Sequence, residues 1–301
     1  MSVGPAASPD AVPARGTIRN AMTVDVEDYF QVQALAGVVD REDWAALPSR
    51  VERNTNRVLD LFAERGVKAT FFTLGWIAER HPTLLRRIVG EGHEPASHGW
   101  AHFRADEHAP EAFRADVRRT KAMIEDIGGV AVAGYRAASF SIGRRNQWAF
   151  AILAEEGYAY SSSVYPVRHD LYGMPEAPRF PFRPIAGRDF REFPITSIHR
   201  LGRNWPCGGG GWFRLLPYAV SAAAIRAVHG DDRRSCIFYF HPWEIDPGQP
   251  IQPGLTLKSH FRHYTNLARM EGKLRRLLDD FAWDRMDRVF PEIIPAGGSA
   301  A

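Results

Sequence analysis

The sequence predicts an α/β protein built on a parallel sheet or barrel with helices outside. Three observations carry this: strand-like and helix-like segments alternate, the strand-like runs are short and apolar, and polar residues gather just beyond their ends. With 301 residues and 45% hydrophobic content, the chain can bury one large core or two, and single α/β barrels occupy this range.

The first strand is expected over 20–26 and runs into Asp25-Val26-Glu27-Asp28. Val51 to Arg65 places Val51, Val58, Leu59, Leu61 and Phe62 at helical spacing, with Gly66 as the stop. Residues 69–74 form a second strand. A helix then starts near Pro82, whose fixed φ suits a first turn, and ends at Gly90-Glu91-Gly92. A short strand at 94–96 and a long helix over 110–127 follow. Val130 to Tyr135, a helix near 145–156 and Tyr158-Ala159-Tyr160 continue the cycle, and Ile237 to Phe240 is a late strand. Beyond it, Leu255 to Phe261 reads as polar and extended. Residues 264–281 read as one terminal helix packed on the barrel through Leu267, Met270, Leu274, Leu277 and Leu278. The leader 1–19 and the tail 291–301 read as disordered, which leaves 20–290 as a single domain with an extension from about 245.

Charge excludes some functions. Thirty-eight Lys+Arg against 35 Asp+Glu give a net charge of only +3, so no general footprint for nucleic acid or an anionic membrane is expected. The apolar runs are too short for a membrane span, and the leader lacks the apolar core of a secretory signal, so a cytoplasmic protein is expected. Cys207 and Cys236 can form one bridge at most.

The chemistry concentrates in Ser97-His98-Gly99-Trp100-Ala101-His102. On a helical turn His98 and His102 would share one face and one divalent ion. Asp25, Glu27 and Asp28, crowded at the end of an apolar strand, repel one another unless a cation or proton compensates. Arg136 and His241 also fall just past strand ends, the place where barrels build active sites. His260 and His263, three apart, read as a surface pair. The Gly208–Gly211 run beside Trp205 and Trp212 reads as a saccharide-facing loop, because aromatic faces stack on sugar rings and glycine permits close approach.

Taken together, Val24-Asp25-Val26-Glu27-Asp28-Tyr29, Ala69 to Gly75, Ser97 to His102, Tyr135-Arg136-Ala137 and Phe240-His241-Pro242 resemble the successive motifs of the polysaccharide deacetylases, carbohydrate esterase family four. Ser161 to Pro166, His169 to Gly173, the glycine run before Trp212-Phe213-Arg214, and His241-Pro242-Trp243-Glu244 are similar to its exosortase-associated (PEP-CTERM locus) branch.

The resemblance implies a distorted (β/α)7-type barrel that hydrolyses N-acetyl groups on an exopolysaccharide or its precursor. The divalent metal would be zinc, with cobalt or nickel as alternatives. It implies Asp28, His98 and His102 as ligands, Glu27 or Asp25 as general base, Arg136 as the residue orienting that base, and His241 as general acid. Ser162, Tyr165, Trp205, Gly210 and Trp212 are the expected substrate contacts, and backbone N–H groups of the 161–165 loop the expected oxyanion donors. Two departures stand out. Ser161 lies where an aspartate usually holds the acid histidine, leaving Asp170 or Glu244 as substitutes, and Ala138 lies where a proline is usual. An allantoinase-like amidohydrolase and a noncatalytic glycan-binding descendant are the alternative functions.

Overall fold

The computed structural model describes residues 18–291. The expected leader and tail therefore lie outside the described residues, apart from Ile18, Arg19 and Pro291.

Strand β1 (Arg19–Val26) is the central strand and shows why two layers form. Successive side chains on a strand point to opposite faces. Met22, Val24 and Val26 face outward into the largest core cluster, against Val58, Leu59 and Phe62 of helix α1 (Val51–Ala63). Ala21 faces inward among Phe72, Ala96 and Tyr160, and Thr23 and Asp25 share its parity.

From β1 the chain winds through β2 (Thr70–Thr73), α2 (Gly75–Arg80), α3 (Pro82–Gly90), β3 (Glu94–Ser97), α4 (Pro110–Gly128), β4 (Gly134–Tyr135), α5 (Trp148–Glu155), β5 (Tyr160–Ser161) and β6 (Arg191–Glu192). These six strands pair in parallel in chain order. An antiparallel hairpin, β7 (Ser197–Arg200) and β8 (Arg203–Pro206), precedes α6 (Gly210–Leu215), α7 (Tyr218–Ala227) and β9 (Ile237–Phe240). Strand β9 returns to β1, with Ala21 opposite Ile237 and Val24 opposite Phe240. The gap between β6 and β9 is bridged by irregular backbone: Tyr239 N–H donates to the Gly208 carbonyl (2.8 Å) and Gly208 N–H to the Thr196 carbonyl (3.1 Å). The result is the distorted (β/α)7-type barrel that the sequence predicts.

The C-terminal extension departs from expectation. Leu257 to Phe261, within the stretch 255–261 expected to be extended, belong to helix α8 (Leu257–Tyr264), whose Thr256 hydroxyl accepts from Ser259 N–H. Asn266, in the left-handed region at φ 59°, separates it from α9 (Leu267–Asp280), so two helices stand where one was expected. Strand β10 (Ala282–Asp284), unforeseen, pairs with the start of β1 and leads into α10 (Met286–Val289). Cys207 and Cys236 are buried free thiols. No described helix is long and apolar enough to cross a membrane.

Candidate active site

Strand parity sorts the acidic cluster. Asp25 and Glu27 share a face and enter the cavity at the C-terminal end of the sheet, whereas Asp28 turns toward the helix layer. Asp28, the expected ligand, lines neither this cavity nor the cluster around His98 and His102. Its Oδ2 accepts hydrogen bonds from Ser49 Oγ (2.7 Å), Arg50 N (2.7 Å) and Val51 N (3.1 Å), and its Oδ1 from Tyr29 N (2.9 Å). Helix α1 has no side-chain cap of its own. Asp28 meets its orphan N–H groups instead, and a carboxylate is favourable at that end of the helix dipole.

The group that converges is Glu27, His98 and His102, with one ligand atom from each inside a 4.8 Å cluster. The histidines do not lie on a helix, as expected, but in the loop after β3. Gly99 at φ 75° and His102 at φ 52° bend that loop back on itself, which brings the two rings to 5.5 Å between centroids. His98 Nδ1 lies 2.8 Å from the Arg136 carbonyl and donates to it, which leaves Nε2 free. His102 Nε2 lies 3.0 Å from Glu27 Oε2. Burial pushes both imidazoles below their ordinary pKa, into the neutral form that ligates metals. It also pushes Glu27 up to about 7, and Glu27 Oε2 is a buried oxygen without a hydrogen-bond partner. Two neutral imidazoles around an orphaned carboxylate oxygen fit a divalent cation, and three ligands leave positions open.

Two held side chains flank this group. Arg136, fully buried, donates from Nη1 to Asp25 Oδ1 (2.6 Å) and Thr23 Oγ1 (2.8 Å), and from Nε to the Ser162 carbonyl (3.0 Å). The guanidinium fixes Asp25 while its Oδ2 stays on the cavity side, 4.0 Å from His241 Nε2. Across the cavity, that same His241 Nε2 lies 3.3 Å from Glu27 Oε1, and Nδ1 lies 2.8 Å from Glu244 Oε1. Glu244 in turn accepts from Arg214 Nε at 2.6 Å. Burial alone would lower the His241 pKa, but Glu27, Glu244 and Asp25 more than offset it and raise it to about 9.

Glu244 thus supplies the partner that Ser161 does not, and Asp170 is instead bonded to Lys258 and Arg262. The arrangement had a sequence signal. Glu244 stands three residues after His241 with Pro242 between them, the spacing of a capping box, and both reciprocal bonds form. Gly210 closes the network, because a Cβ there would lie 2.2 Å from Glu244 Oε1.

The cavity, about 130 Å³, is walled by Phe140, Tyr172, Tyr239 and Trp243 besides the charged groups. None of these four aromatic residues was among those expected at the site from the sequence. Backbone strain concentrates here: His102, Ser139 and Phe140, all lining the cavity, are in the left-handed region.

The expected substrate contacts lie elsewhere. Ser162 is buried and its Oγ accepts from Arg136 Nη2 (3.0 Å), while Tyr165 is buried under Tyr172. Gly210 packs on Glu244. Trp205 and Trp212, each 37% exposed, line other cavities. The N–H groups of Ser162, Ser163 and Val164 are engaged by the Tyr135 carbonyl and Glu192, so they are not free to meet an oxyanion. His263 is not on the surface either: it stacks on Trp243 at 4.3 Å and bonds Gln249.

Residues 43–161 match the polysaccharide deacetylase family, and residues 162–291 match a domain of unknown function, DUF3473. The segment matched to the polysaccharide deacetylases carries His98, His102 and Arg136. A chitooligosaccharide deacetylase of Rhizobium leguminosarum bv. trifolii is 39% identical over 70 residues, 23% of this chain and 33% of that protein. A peptidoglycan-N-acetylglucosamine deacetylase of Bacillus cereus is 32% identical over 77 residues, 26% of this chain and 28% of that protein. The chain thus spans about a third or less of the length of these curated relatives. The crystal structure of a protein assigned as a polysaccharide deacetylase from Mycobacterium smegmatis superposes with a TM-score of 0.61 at 20% identity. That match covers 95% of this chain and 93% of the other, and it shows the shared fold.

Proposed function

We propose that this protein is a metal-dependent N-deacetylase, releasing acetate from an N-acetylated saccharide of an exopolysaccharide or its precursor. The observation that carries the reading is the convergence of Glu27, His98 and His102 between an arginine-held Asp25 and a glutamate-held His241. Glu27, His98 and His102 would hold the cation, zinc or else cobalt or nickel. Once bound, it supplies Lewis-acid polarisation of the amide carbonyl and lowers the pKa of the attacking water.

The side chains do the rest. Asp25, fixed by Arg136, takes a proton through Oδ2 as the water oxygen bonds to the acyl carbon. His241, held through Nδ1 by Glu244, delivers a proton from Nε2 to the amide nitrogen as the C–N bond breaks. The products are acetate and a free amine. Asp25 is the base in this reading because Glu27 belongs with the histidines.

A 130 Å³ cavity admits an acetamido group and leaves most of a saccharide outside, since sites that enclose whole ligands run to ~300 Å³ or more. Its aromatic walls favour a sugar over a small ureide. The branch resemblance is supported by the structural use of its motifs, with Gly210, Arg214 and Glu244 forming one network. The test is acetate release from N-acetylated oligosaccharides by metal-loaded protein. Turnover that survives in both Asp25→Asn and His241→Ala would refute the assignment.

A further inference from the structure

We infer that the face beside this site binds a saccharide carried on a lipid phosphate, the phosphate lying in a basic cavity and the hydrocarbon in an apolar groove. Only the sugar end of this inference rests on the deacetylase reading. Three zones adjoin in order. The wall of the catalytic cavity includes Tyr172, whose ring stacks on His169 at 4.0 Å. His169 also lines a cavity of about 650 Å³ together with Arg168, His199 and Arg203. Trp205 and Trp212 also line a groove of about 760 Å³, together with Leu216, Val220 and Ala223.

Each zone suits one part of an amphiphile. Arg168 and Arg203 form no ion pair among the described residues, and the single carboxylate lining their cavity, Glu176, is bonded to Arg144 at 2.8 Å. Guanidinium groups without a carboxylate partner, that of Arg203 lying 3.5 Å over the Trp205 ring, fit phosphate oxygens. The groove is apolar and unfilled, although helix α7 brings Ala219, Ala223 and Ala227 to it at helical spacing. Side chains this small leave room that a well-packed interior would not.

At the groove's edge, the β7–β8 turn holds Leu201 at φ 53° and 94% exposed, between Arg200 and Arg203. A strained, water-facing leucine between cations fits the surface from which an anionic lipid is drawn. A purely apolar protein partner would leave the adjoining basic cavity without a counterpart. The continuity of the three zones favours one amphiphilic ligand.

The test is calorimetric titration of the full chain with farnesyl phosphate below its micellar concentration. Saturable binding is expected, with farnesol and inorganic phosphate each at least tenfold weaker. Ala223→Phe, which fills the groove from an exposed position, and Arg203→Glu should each weaken farnesyl phosphate binding at least tenfold. Equal affinity for farnesol, or unchanged affinity in both variants, would overturn the inference. So would a concentration-dependent dimer of the free protein that Leu201→Ser abolishes, since a second copy would then cover the groove. Farnesyl phosphate binding without acetate release from any N-acetylated saccharide keeps the lipid site and removes the deacetylase reading. Acetate release without farnesyl phosphate binding does the reverse.

Discussion

Asp28 and Glu27 are adjacent carboxylates with opposite jobs, and replacing each should separate stability from metal binding. In Asp28→Ala, the Ser49 hydroxyl and the N–H groups of Arg50 and Val51 lose their common acceptor. Loss of a helix cap costs ~0.5–2 kcal/mol, and each buried donor left unsatisfied costs ~1–3 kcal/mol. Water reaching the part-buried Arg50 end recovers some of that, so the expected loss is about 3 kcal/mol, or roughly 5 °C in Tm. Metal content after dialysis should be unchanged. Glu27→Gln should do the opposite. It replaces a carboxylate whose Oε2 has no hydrogen-bond partner, so the metal-free protein should unfold at the same urea midpoint or a higher one. Its metal affinity should fall, since an anionic ligand becomes a neutral amide. The assay pairs urea unfolding with elemental analysis of protein dialysed against limiting zinc. If Asp28→Ala loses its metal while keeping its unfolding midpoint, the parity argument for the acidic cluster fails.

Three further outcomes follow from the same geometry. Asp25→Asn should retain metal and lower turnover about a hundredfold or more, the usual contribution of a general base, and an unchanged kcat would remove it from that role. Gly210→Ala should lower kcat while sparing metal content, because its Cβ would lie 2.2 Å from Glu244 Oε1 and displace the support of His241; overpacking adds a loss of ~1–3 kcal/mol in the unfolding free energy. A Gly210→Ala protein with normal kcat would show that Glu244 does not position the histidine. His93, far from the site, supplies a pH test. Burial lowers its pKa from 6.5 to about 3, and Ala69 N–H donates to its Nδ1. The folded state therefore binds fewer protons than the unfolded one between those values, so stability present above pH 6.5 is lost as pH falls toward 3, by at most ~1.4 kcal/mol per unit. His93→Gln keeps an acceptor and should flatten that slope in urea titrations from pH 7 to 4; parallel curves for the two proteins would refute the assignment.

Local periodicity in the chain specifies the architecture. Alternating βα segments specify a parallel barrel, because an apolar strand and an amphipathic helix each bury one pattern of residues. Placing Asp25, Glu27, His98, Arg136 and His241 at or just past strand ends was enough to send them to one face. The separation of Glu27 from Asp28 lay just beyond β1: the motif resemblance groups Asp28 with the histidines, whereas in the fold Glu27 is the carboxylate beside them.

Contacts across long loops are legible in the fold alone. That Asp28 caps α1 depends on how the chain between 29 and 48 folds back, and that Arg214 and Gly210 brace Glu244 while Trp205 and Trp212 line two other cavities depends on how the segments from 162 to 265 close the barrel. Those segments contain short or irregular elements whose partners are 20 to 200 residues distant. A side chain's role there is set by what the fold places opposite it, and local sequence carries no record of that neighbour.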